Sequence, residues 1–136
     1  MTINETQDEI IEEFELFDDW ADKYEYIIDL GKKLPKMDVN LRTEDNIIRG
    51  CQSLVWLNAE KQENLVHFEA DSEAIIVKGL VSMLLQVLTD QPPEAIAKAD
   101  LYFIERIGLA SHLAQTRSNG LASMLKQMKM YAIAFG

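Results

Sequence analysis

Cys51 is the one cysteine in a chain of 136 residues, and its neighbours are not those of a buried packing thiol. Gly50 before it carries no side chain and frees the backbone, while Gln52 and Ser53 after it are polar. Residues of strand character flank both sides, Ile47 and Ile48 before and Leu54 to Leu57 after. The pattern predicts that Cys51 sits at a bend between two strands. A thiol on such a tip can meet a sulfur atom on another protein, and Gln52 and Ser53 can donate hydrogen bonds to its thiolate. That chemistry suits sulfur transfer. The thiolate attacks a sulfane sulfur on a partner's cysteine, holds it as a persulfide and passes it on. A resolving cysteine nearby would trap the sulfur in a disulfide, and the chain has none.

Two other chemistries compete. A nucleophile with a histidine base would make the chain a partner-independent thiol transferase or hydrolase, but neither His67 nor His112 has a local tie to Cys51. His67 alternates with Val66 and Phe68, which puts it on the wetter face of its strand. Alternatively the thiol is inert and the chain is an acidic protein-interaction adaptor. Other classes fall away. No G-x-x-x-x-G-K-[ST] or G-x-G-x-x-G signals a phosphate-cradling loop, so no cofactor is expected. One cysteine and two histidines cannot supply the four ligands of a structural zinc site, so no metal is expected.

The charge narrows the partners. The chain holds 13 basic and 23 acidic residues, a formal net charge of −10. Residues 1–30 carry 11 acids against Lys23 alone, and no acid follows Glu105, beyond which lie Arg106, Arg117, Lys126 and Lys129. The acidic N-terminal face is either a solvated surface or a docking surface for a basic partner. Such a balance repels phosphate backbones, so nucleic-acid binding is not expected. No apolar run approaches the roughly 20 residues that span a bilayer, and the N-terminus lacks the parts of a signal peptide. The expected location is cytoplasmic, with no membrane.

The elements that must position Cys51 read as follows. Thr6-Gln7-Asp8-Glu9 has the form of a capping box opening a helix with Ile10, Ile11, Phe14 and Phe17 on one face. Asp18-Asp19 caps a second helix from about Trp20 to Leu34, with Trp20, Tyr24, Ile27 and Ile28 buried, and Pro35 ends it. Residues 35–46 read as a loop. Three strands follow, around Ile47-Ile48, Leu54 to Leu57 and Leu65 to Glu69, with a polar turn at residues 60–64. Asp71 or Ser72 caps a nearly buried helix from Glu73 to about Leu88, whose narrow polar stripe is Lys78, Ser82 and Gln86. Pro92-Pro93 begins a short helix, and Ser118 or Asn119 caps a last one with Leu121, Met124, Leu125, Met128, Ala132 and Phe135 on one face. Residues 1–136 thus read as a single domain. The class is α+β, a small antiparallel sheet of about three strands packed by helices.

At these residues the chain resembles the SufE family, the sulfur-acceptor proteins of iron–sulfur cluster assembly. Asn46 to Trp56, with Gly50-Cys51-Gln52-Ser53 at its centre, is similar to the family's G-C-x-S-x-V-W signature. Asp71 to Leu80 resembles its D-S-x-A-x-I-V-K-G-L block, and His112-Leu113 with Arg117 to Leu121 resembles its C-terminal block. Tyr24 to Gly31 and Leu34-Pro35 also fit.

The resemblance implies an α+β fold like that of the NifU/IscU scaffold proteins. It implies a PLP-dependent cysteine desulfurase (SufS-like) as partner, with Cys51 carrying the persulfide and an iron–sulfur scaffold complex downstream. It implies stimulation of that desulfurase without desulfurase activity of the chain's own. A homodimer is compatible with it.

Gly50, Gln52, Ser53 and Arg117 are the expected supporting residues of the bend or the partner contact. Arg117 lies near a helix start, where the dipole does not favour a cation. Either it fixes the Cys51 bend or the partner interface, or it pairs with the acidic helices. Asp71 and Ser72 are expected as helix caps, Lys78 as a solvent-reaching side chain and Trp56 as core. Gly79, costly inside a helix by about 1 kcal/mol, is expected to allow close packing under the bend.

Overall fold

The computed structural model describes residues 1–50, 53–113 and 115–136 (110 and 115–118 by backbone alone), and among them helices pack against one two-stranded hairpin. The chain opens with α1 (Ile3–Glu15) and α2 (Trp20–Lys32), then makes two single 3₁₀ turns at Val39–Leu41 and Glu44–Asn46. Strands β1 (Val55–Gln62) and β2 (Leu65–Ser72) follow, then α3 (Ile75–Leu88), α4 (Pro93–Lys98), α5 (Phe103–Arg106), α6 (Leu109–His112) and α7 (Gln115–Phe135). The class is α+β, as expected.

α1 starts one turn earlier than expected. The sequence repeats Thr-x-x-Glu, and the first copy is the capping box: Thr2 accepts from the Glu5 amide, and Glu5 accepts from the Thr2 amide at 2.9 Å. Thr6 lies inside the helix, buried, its hydroxyl donating back to the Thr2 carbonyl. α1 lays Ile3, Ile10, Ile11 and Phe14 into the core. Gln7, fully buried, ties α1 to the segment ahead of α5, its side-chain nitrogen donating to the Asp100 carbonyl and its oxygen accepting from the Phe103 amide. Asp19 caps α2 as expected, accepting from the Asp22 amide at 2.9 Å. α2 stops at Lys32, two residues short of Leu34, and of its expected buried face Ile27 is fully buried while Trp20, Tyr24 and Ile28 are half-buried.

β1 and β2 pair antiparallel from Val55 opposite Ser72 to Gln62 opposite Leu65. The polar stretch at 60–62 belongs to β1, its side chains exposed even though Val66, opposite Lys61, is buried in the core. The turn shrinks to Glu63-Asn64, with Glu63 at φ +58°. The expected third strand reduces to one antiparallel bridge between Ile47 and Trp56. A 3₁₀ turn ends at Asn46 and Gly50 has φ +92°, so too few extended residues remain between them for a strand.

α3 is the central helix, with Leu80, Val81, Met83, Leu84, Leu85, Val87 and Leu88 buried. Its Gly79 crosses α2 rather than the Cys51 segment. A Cβ on Gly79 would stand 2.1 Å from the Ile27 carbonyl oxygen, and one on Gly31 2.8 Å from the Gly79 nitrogen. Two glycines therefore let two helix backbones touch. α7 begins at Gln115 instead of after Ser118, and it buries Met124, Met128 and Ala132 along the expected face.

Candidate functional site

Cys51 and Gln52 lie outside the described residues, so the site is built from what flanks them. The Ile48 amide donates to the Val55 carbonyl at 2.9 Å, and Ile47 bridges Trp56. These contacts close the base of the 49–54 segment. Gly50 takes φ +92°, a conformation that disfavours any side chain, and it lies against α7, where a Cβ would come 2.6 Å from Ser123 Oγ. On the other arm, Ser53 is half-buried and Leu54 exposed, while the Leu54 carbonyl accepts from the Ser72 hydroxyl at 2.8 Å. The bend expected at Cys51 itself lies outside the described residues; of its expected extended flanks, β1 begins at Val55 and Ile47 makes a single bridge.

Beside Leu54 and Trp56 lies a network the sequence reading did not anticipate. Asp71, opposite Trp56 in the sheet, has a side chain only 3% exposed, and it is paired with both Arg42 and Lys78. Lys78 Nζ stands 3.3 Å from Asp71 Oδ1, which also accepts from the Ser72 amide at 2.8 Å. Burial pushes the Asp71 carboxyl up, but the hydrogen bonds from Arg42, the Ser72 amide and Lys78 outweigh it and hold it below the ordinary carboxylate value. The Arg42 guanidinium also lies 5.0 Å over the Trp56 ring, within cation–π range.

Asp71 is therefore an ion-pair centre at the end of β2 and not a helix cap. α3 begins after Ala74, with no side-chain cap, although Ser72 Oγ does accept from the Ala74 amide at 3.3 Å. Lys78 pairs with Asp71 while its side chain stays partly exposed, instead of running out to solvent as expected. Trp56 is buried as expected. Arg42 was missed because it sits in an aperiodic stretch where nothing local marks it; its role comes from tertiary pairing alone.

The histidines are occupied elsewhere. His67 Nδ1 is 2.8 Å from Asp90, five residues along β2 from Ser72, or about 16 Å of strand rise. His112 stacks on Trp20 with ring centroids 3.9 Å apart, its Nδ1 3.1 Å from the Gly108 carbonyl, and its own carbonyl accepts from Tyr24. Arg117 falls in the first turn of α7, and its side chain lies outside the described residues. Among the described residues no group of three or more His, Cys, Asp or Glu side chains could hold a metal ion. Among the same residues no helix is long and apolar enough to cross a membrane.

Comparison with known proteins places these features in context. A family model described as SufE, Fe-S metabolism associated domain, matches residues 8–132. An uncharacterized SufE-like protein of Rhizobium etli is 42% identical over 127 residues, 90% of this chain and 86% of that protein. A second, from Rhizobium meliloti, is 40% identical over 130 residues, 92% of this chain and 93% of its own length. The solution structure of a hypothetical protein from Thermus thermophilus superposes with a TM-score of 0.79 at 18% identity, covering 96% of this chain and 95% of that one. At that identity the likeness is one of fold.

Proposed function

The chain belongs to the SufE family of domains associated with Fe–S metabolism, and from that membership we propose that it is a sulfur carrier whose Cys51 takes sulfane sulfur from a PLP-dependent cysteine desulfurase. The observation that supports this reading is that the chain's one cysteine lies in the 49–54 segment, whose two ends are hydrogen-bonded together at Ile48 and Val55. A nucleophile that must meet another protein needs a short excursion from a fixed base.

The Cys51 thiolate attacks the terminal sulfur of the desulfurase persulfide. The donor's S–S bond breaks, a new S–S bond forms on Cys51, and the donor cysteine leaves as a thiolate. No electrons enter or leave. A thiol on an iron–sulfur scaffold complex takes the sulfur onward by the same exchange. The chain has no desulfurase activity alone and stimulates its partner by clearing the partner's persulfide. Gly50, Gln52, Ser53 and Arg117 support the transfer or the contact.

Intact mass after incubation with an active cysteine desulfurase and cysteine tests this. The expected result is a gain of one or more sulfur atoms that reductant removes and that Cys51→Ser lacks. The same variant keeps the fold but no longer stimulates the desulfurase. No gain beside a desulfurase shown to turn over cysteine, or normal stimulation by the Ser variant, overturns the reading.

A further inference from the structure

Asp71 is the one ionisable side chain buried among the described residues. Its carboxylate joins three separate pieces of chain: Arg42 from between the two 3₁₀ turns, Lys78 from the first turn of α3, and the end of β2 that carries Asp71 itself. From it, two short paths run to the two arms of the cysteine segment. One passes through the Ser72 amide, bonded to Asp71 Oδ1, and the Ser72 hydroxyl to the Leu54 carbonyl. The other passes through Arg42 to the Trp56 ring, whose residue bridges Ile47. A single buried charge thus ties down both sides of residues 49–54.

We propose that the Arg42–Asp71–Lys78 network positions the cysteine segment for reaction, with Arg42 as the positioning residue. Stability alone does not account for such a network, because a buried ion pair often contributes no more than a well-packed apolar pair would. Geometry does. A reacting group displaced by about 1 Å can lose roughly a hundredfold in rate, and Arg42 is the member that both neutralises Asp71 and covers Trp56. Its planar fork suits the two tasks together, which a lysine at the same place cannot match.

The proposal deepens the sulfur-carrier reading and rests on it only for one of two assays. The first assay needs no partner: the rate at which iodoacetamide alkylates Cys51 in the full chain, followed against pH. The second is the rate of sulfur gain at saturating desulfurase. Arg42→Gln is expected to shift the alkylation rate at least about threefold and to slow sulfur gain about tenfold, with the half-saturating desulfurase concentration unchanged. Arg42→Lys, which keeps the charge, recovers part of both.

Wild-type behaviour of a folded Arg42→Gln in both assays overturns the proposal and leaves the sulfur carrier intact, and so does a loss confined to melting temperature. If the wild-type chain gains no sulfur at all, the carrier reading falls, and the alkylation assay still decides the positioning. Should Arg42→Gln fail to fold, Lys78→Met removes the second cation from the same carboxylate. It must then change alkylation for the proposal to stand.

Discussion

Two effects compete to explain why position 50, just before Cys51, is glycine. Its φ of +92° is one, and the 2.6 Å approach of an added Cβ to Ser123 Oγ is the other. A serine hydroxyl can rotate away, whereas a left-handed backbone cannot relax without moving the segment. The conformational effect should therefore dominate. Gly50→Ala is expected to cost about 1–2 kcal/mol in urea unfolding, and Ser123→Ala in the same chain should recover little of it. Full recovery would make the contact the cause. For Asp71 the sign of the pH effect follows from its lowered pKa. Its contribution is complete above the ordinary carboxylate value of 3.8 and is lost as pH falls through the lower folded value. Asp71→Asn should be less stable than the wild type by about 1–3 kcal/mol near neutrality, the two cations being partly solvated, and the gap should close below about pH 4. A gap that stays constant down to about pH 2 would mean that the carboxylate's charge contributes nothing. The break in extended structure at Gly50 was legible from residue types, because glycine and polar neighbours interrupt two apolar runs; Cys51 and Gln52 lie outside the described residues. The roles of Asp71, Lys78 and Arg42 were not, because they depend on tertiary pairing: Arg42 reaches Asp71 from the far side of β1, and Lys78 reaches back to it from the next element.

The crossing of α2 and α3 shows how far periodicity carries. The apolar face of α3 and its narrow polar stripe were readable from spacing, and so was the anomaly of Gly79 in a helix interior. Its partner was not readable, since Gly31 and Gly79 are 48 positions apart and nothing local links them. The structure answers with backbone-to-backbone contact at Ile27 and Gly31. Alanine is the better helix former by about 1 kcal/mol, so propensity alone predicts that Gly79→Ala stabilises. A Cβ 2.1 Å from the Ile27 carbonyl oxygen predicts the opposite. The contact should win, because the nearest atom is a backbone oxygen, with the Ile27 Cγ2 a further 2.5 Å contact, and moving that backbone means separating the helices. Net destabilisation of about 1–3 kcal/mol is expected from thermal unfolding, and an unchanged or raised melting temperature would refute this crossing. The displaced boundaries have equally local causes. Thr2 and Thr6 offer the same capping pattern, and burial of Thr6 settles which one opens α1. The third strand failed because a 3₁₀ turn and a left-handed glycine close in on Ile47-Ile48 from both sides.

Taken across the molecule, the charge divides into an acidic N-terminal quarter and a basic C-terminal end, and the fold shows what α1 does with its acids. Ile3, Ile10, Ile11 and Phe14 anchor that helix in the core, and Gln7 fastens it to the segment ahead of α5. The helix is therefore part of the domain rather than an acidic tail, a conclusion its amphipathic spacing already supported, although the buried Gln7 on the same face did not stand out among so many polar residues. Glu9, Glu12 and Glu15 are exposed on its far side and form no ion pair among the described residues. Replacing all three by Gln removes three of ten net negative charges and should change stability by no more than about 0.5 kcal/mol. Two outcomes then separate the two readings of the acidic surface. If those charges only solvate the molecule, sulfur gain from a desulfurase is unchanged at every ionic strength, while solubility falls. If they steer a basic partner, the half-saturating desulfurase concentration rises at low salt and the difference disappears beyond the screening length, about 8 Å at physiological ionic strength. We expect the first outcome, because the Arg42–Asp71–Lys78 network involves none of these acids and the anchoring contacts of α1 are with the core. Stopped-flow association at two salt concentrations decides between them, and a slope lost in the triple variant would make the acidic helix a docking face.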